Sequence, residues 1–164
     1  MSSTSAVLPV RSAARQGPVM PVTFTRGDDG RHCVAVAAPA GRRPFRLSVQ
    51  PLGRDLPHDI ATAVVESAYA CAEGFFNLTA HGATFRSGDR RRTGPGRGLI
   101  REHAAGLTLA EHLVHDAVNG WREGRGGLAV PLLDTALESW DALRVGADLT
   151  LEWVVLPLPR VRRG

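Results

Sequence analysis

The chain has 164 residues, 43% of them hydrophobic and 22% charged, with a formal net charge of +4. That is enough apolar material for one core, and it excludes a highly charged disordered chain; no stretch approaches the roughly 18–20 apolar residues of a membrane-spanning helix. All twenty basic residues are arginine, so no lysine exists to complete a phosphate-binding Gly-Lys-Ser/Thr loop.

Residues 1–19 are rich in Ser, Ala, Arg and Pro without a period and read as a flexible tail. The apolar run Ala6–Val10 is too short for a secretory signal and has no basic segment before it, which predicts a cytoplasmic protein. Val22 and Phe24 on one side and Cys33–Ala38 on the other flank Gly27-Asp28-Asp29-Gly30, a hairpin signal. Phe45, Leu47 and Val49 alternate with Arg46, Ser48 and Gln50, which predicts a third strand with one wet face. After Pro57 the period changes. Ile60, Val64, Ala68, Cys71 and Phe75 share one helical stripe, with His58 or Asp59 as cap and Gly74 placed to stop or bend the helix. Phe75–His81 reads as a short second helix and residues 83–85 as an edge strand. Residues 87–98 hold four glycines and a proline, which predicts a long flexible loop.

Thr108-Leu109-Ala110-Glu111 has the form of a capping box and predicts a helix over 109–123, with Leu109, Leu113, Val114, Val118 and Trp121 inward. Pro131 opens another helix carrying Leu133, Ala136, Leu137 and Trp140. Leu149, Leu151, Trp153 and Val155 alternate as a final strand, and 159–164 form a basic tail. The predicted architecture is α+β: one domain over 20–158, a small antiparallel sheet of about four strands packed against three or four helices. Cys33 and Cys71 lack metal or redox spacing and read as buried free thiols.

Two constellations could carry function. His112, His115 and Asp116 stand three and four residues apart on one helix, so their side chains are neighbours and could hold a transition metal such as zinc. His58 is the first candidate for a further ligand; His81, His103 and the acids Asp134, Glu138 and Asp141 are others. A metal-dependent hydrolase follows from that reading, and solvated helix faces from the plainer one. His115-Asp116 alone is a poor match to His-Asp metal phosphohydrolases, because Gly106 and Thr108 interrupt the helix that would lead back to His103. No GxSxG or GxGxxG motif is present.

The second constellation is basic. Arg86, Arg90, Arg91, Arg92 and Arg97 lie in and around the glycine-rich loop. They can engage an acidic protein surface or track phosphates. Aromatic residues for base stacking are missing from the loop, which makes nucleic acid the lesser alternative. With no complete catalytic set visible, the sequence reads best as a non-catalytic binding or regulatory module that needs no cofactor and contacts another protein through this loop, away from any membrane.

Pro57-His58-Asp59, Val64-Val65-Glu66 and Gly74-Phe75-Phe76 together resemble a family of small uncharacterised proteins of high-GC bacteria. Those proteins place the three motifs after an N-terminal hairpin and often add a second histidine in the helix, where this chain has Ala61-Thr62-Ala63. The resemblance covers about a fifth of the chain. It implies an α+β fold and no particular reaction.

Overall fold

The structure, a computed structural model, describes residues 5–8, 17–53 and 55–162. Four strands come first: β1 (Ser5–Leu8), β2 (Val19–Arg26), β3 (His32–Ala37) and β4 (Phe45–Pro51). Five helices follow: α1 (His58–Ala68), α2 (Phe75–Ala80), α3 (Gly94–Glu102), α4 (Ala104–Arg122) and α5 (Val130–Asp141). Strand β5 (Asp148–Val154) closes the order. The fold is α+β, with one mixed sheet in the order β1-β5-β2-β3-β4.

The period of two decides which face is buried. Met20, Val22 and Phe24 of β2, Cys33, Ala35 and Ala37 of β3, and Leu149, Leu151 and Trp153 of β5 all point to the helical side and are buried. Helix α1 lies between the sheet and the outer helices. Ile60, Ala61, Ala63, Val64 and Val65 are all buried, because neighbours cover more than one side of it. Trp140 from α5 and Trp153 from β5 fill the largest spaces in the core. Cys33 is buried and Cys71 half-buried, and no disulfide joins them. Burial pushes the Cys33 thiol up to about 12, so it acts as a small apolar side chain. Among the described residues, no helix is long and apolar enough to cross a membrane.

Several expectations change. Ser5–Leu8, inside the expected tail, forms a fifth strand parallel to β5, with Ala6 opposite Leu149 and Leu8 opposite Leu151. Residues 1–4 and 9–16 of that tail, and 163–164 of the basic tail, lie outside the described residues. The sheet is therefore mixed, and the described residues hold five helices where three or four were expected. Residues 83–85 are not a strand.

The long loop is shorter than its glycines suggested. Thr93 caps α3 by accepting a 3.0 Å bond from the Gly96 amide, and Pro95 occupies a first-turn position where its missing N–H costs nothing. Gly96 is required by contact, since a Cβ there would stand 2.8 Å from the Gly82 carbonyl oxygen. The Thr108 box is not a helix start. Helix α4 begins at Ala104, Thr108 donates back to the Ala104 carbonyl, and Leu109 is exposed. Buried His103 joins α3 to α4, held by Glu73 at 2.7 Å.

A β-bulge between Ala35 and Val36 adds Leu47 to β4 and reverses its alternation. Ser48 then turns to the helical side and Val49, expected inside, faces out. Helix α1 has Pro57 at its N-cap with no side-chain cap bond, so neither His58 nor Asp59 serves as the cap.

Candidate functional site

Two hollows gather the polar groups of interest. The first, of about 440 Å³, lies between α1 and α4. The bulge brings Ser48 to its wall, where the hydroxyl donates to the Asp59 carboxylate. That bond ties the first turn of α1 to β4. His58 beside it is exposed; interaction with Asp59, whose Oδ1 is 3.7 Å from the imidazole Nδ1, raises its pKa against burial and against Arg122. His115 enters from α4, with its Nε2 3.0 Å from the Asn119 amide nitrogen. Phe75, Val114 and Val118 supply apolar surface.

Glu66 also lines this cavity and is almost wholly buried. The Phe75 and Phe76 amides, left without partners within the helix at the start of α2, donate to its two oxygens at 2.8 and 3.0 Å. Burial still dominates and, with a small push from Glu111, lifts its pKa to about 7; the two amide bonds only moderate the rise. A Cβ at Gly74 would stand 2.5 Å from the Glu66 carboxyl carbon, which is why the turn ahead of α2 needs a glycine. A carboxyl group that titrates near neutrality in a cavity can hold or release a proton there.

The second hollow, of about 420 Å³, is lined by Arg42, Arg43, Arg90 and Arg91 together with Phe45 and Thr84, among others. Arg42 and Arg43 come from the turn between β3 and β4, and Arg90 and Arg91 from the segment after α2. No acidic side chain is among the described residues lining it. Arg90 lies over the Phe45 ring, 3.9 Å from the centroid, and donates through Nη2 to the Ala83 carbonyl. Its Nε is shielded from solvent and has no partner among the described residues. Burial, and then the Arg42 charge, lower the Arg90 pKa.

The sequence candidates divide between these places. His58 and His115 share the α1–α4 cavity, whereas His112 and Asp116 are exposed and lie outside its lining. His81 bonds to the Leu156 carbonyl at 2.7 Å, His103 to Glu73, and Asp134 accepts from Trp121 at 2.8 Å. Among the described residues, no three His, Cys, Asp or Glu side chains are grouped so as to hold a metal ion. In the basic loop Arg92 donates to the Thr84 carbonyl at 3.1 Å, so it and Arg90 tie the loop down. Arg86, Arg91 and Arg97 are exposed, and only Arg91 of these three lines the arginine hollow.

Sequence reasoning missed Glu66, Arg42 and Arg43. Glu66 had a signal: it is a lone acid directly after Val64-Val65 in an otherwise apolar run. Arg42-Arg43 sits between Gly41 and Pro44, a basic turn that nothing local connects to residues 90–91. The chain matches no protein family, and no curated protein or solved structure is significantly similar to it.

Proposed function

We propose that the protein is a non-catalytic binding module that engages an acidic surface of another protein through its arginine-bearing end, in the cytoplasm of a high-GC bacterium. The observation that supports this is the arginine hollow. Four like charges border one space, and none of the four has a carboxylate partner among the described residues. Their mutual repulsion opposes folding, and an anionic partner would relieve it. Guanidinium forks match carboxylates bidentately, which suits an acidic protein surface. The contact centres on Arg42, Arg43, Arg90 and Arg91; Arg86 and Arg97 lie outside the hollow's lining.

Arg43 and Arg91 are the informative positions, because both are exposed and neither ties down the fold. The combined change Arg43→Glu and Arg91→Glu is expected to weaken binding of a labelled Glu/Asp-rich peptide at least ten-fold, roughly 1.4 kcal/mol. The thermal midpoint should not fall, since the change removes like-charge repulsion. Fluorescence anisotropy at two salt concentrations measures this; a wild-type protein that ignores the peptide, or a double variant that binds equally well, overturns the reading.

A second reading, a metal-dependent hydrolase, is favoured by one observation: His58 and His115 line the same cavity as Glu66. On that reading one equivalent of zinc shifts the imidazole NMR signals of both histidines, and His115→Ala abolishes the response. Unchanged spectra on adding zinc would remove this reading.

A further inference from the structure

We propose that the arginine hollow takes a phosphomonoester dianion, presented as a phosphorylated side chain of the acidic partner; this rests on the binding-module reading and names the group recognised.

The first argument is convergence. Two segments separated by more than forty residues each send two arginines to one hollow. A nucleic-acid backbone, with one charge per phosphodiester, calls for cations spread along a track. Here Arg86 and Arg97 do not line the hollow, and the four that do are gathered around it. That arrangement suits a compact group carrying more than one charge. A phosphomonoester has a charge of about −1.5 to −2 at pH 7, with three acceptor oxygens. A carboxylate has one charge and two oxygens, and so leaves more of the guanidinium donors unmatched.

The second argument is preorganisation. Arg90 is fixed by the Phe45 ring and the Ala83 carbonyl, and its Nε is withdrawn from solvent without a partner. The Arg42 head group lies against Gly82, where a Cβ would stand 3.2 Å from its Nη1, and Gly82 adopts φ +104°. A side chain at that position would press on Arg42 as well as strain the backbone. Arg42, Arg43 and Arg91 are exposed and can close on an anion from outside. The hollow is also larger than one phosphate group, which leaves room for the side chain that carries it. Asp89, the chain neighbour of Arg90, does not line the hollow and has its carboxylate on the Arg46 amide at 2.9 Å, and in the broader adjoining hollow Glu102 is accompanied by Arg101.

The test uses the full chain and one peptide library with randomised flanks in three forms, with central phosphoserine, glutamate or serine. Binding is read by anisotropy, with inorganic phosphate and free phosphoserine as competitors. The expected result is phosphoserine peptide at least ten-fold tighter than the glutamate form, with the preference lost in Arg42→Ala and in Arg43→Ala. Equal binding of the phosphoserine and glutamate forms overturns the phosphate proposal and leaves the acidic-surface reading standing. No binding of either form overturns both. Competition by inorganic phosphate at the peptide's own affinity overturns the peptide as the source of the group.

Discussion

Glu66→Ala is expected to cost about 3 kcal/mol of stability at pH 5 and much less at pH 8. At acid pH the buried carboxyl is neutral and still accepts from the Phe75 and Phe76 amides. Removing it leaves two buried donors unpaired and a void behind, each a cost of about 1–3 kcal/mol. At alkaline pH the native protein carries a buried charge, and deleting the side chain removes that burden. The sign follows from linkage. The folded pKa of about 7 lies above the ordinary value of 4.5, so the native state holds the proton more tightly than the unfolded chain. The stability tied to this proton is complete below the unfolded pKa and is lost as pH rises through about 7. Between pH 5 and pH 8 the loss is about 2–3 kcal/mol. Urea unfolding of wild type and Glu66→Gln across this range isolates the effect from the other titrating groups of the cavity, His58, Asp59, Glu111 and His115. Parallel pH profiles for the two proteins would refute the assignment.

Asn77→Ala is expected to cost about 4 kcal/mol, at any pH in that range. The side chain is completely buried and uses both ends of its amide. Nδ2 donates to the carbonyls of Ala72 at 2.7 Å and Leu156 at 3.0 Å, while Oδ1 accepts from the Leu156 amide at 2.8 Å. Trp153 Nε1 makes a longer contact of 3.4 Å with the same oxygen. One residue of α2 thus fastens the chain beyond β5. Alanine leaves several backbone groups without partners, each costing about 1–3 kcal/mol when buried. Asn77→Asp should be nearly as damaging, since a second acceptor would face two carbonyl oxygens. Chemical denaturation measures the loss, and hydrogen exchange at the Leu156 amide should accelerate. A cost under about 1.5 kcal/mol would contradict this account of the bonds.

What the sequence made legible follows the range over which each signal acts. The alternation in Leu149–Trp153 and the stripe from Ile60 to Val64 are local, and both elements are present. The bulge at Ala35–Val36 is a property of two strands together, so alternation in β4 alone misplaced Val49 and hid the turn of Ser48 toward Asp59. Glycine content misled at 94–98, where a threonine cap, a first-turn proline and the close approach of Gly96 to Gly82 hold a helix. Thr108 matched a cap by spacing, but His103 and its bond to Glu73 set the start of α4 earlier. Of the four arginines around the hollow, Arg90 and Arg91 were visible as a run. Their meeting with Arg42 and Arg43 depends on the packing of distant segments.

The place of β5 in the sheet has a consequence for how the chain can fold. The strand last in sequence sits between β1 and β2, so both of those await a segment more than a hundred residues away. The β2–β3–β4 meander can form locally, yet one long edge of β2 stays open until β5 arrives. Loop closure over that span must precede the contacts that reward it, which places this topology on the slow side of folding. During synthesis the apolar face of β2, with Met20, Val22 and Phe24, remains without its β5 neighbour until residues 148–154 have emerged. The interval before that closure is the chain's period of greatest exposure to aggregation.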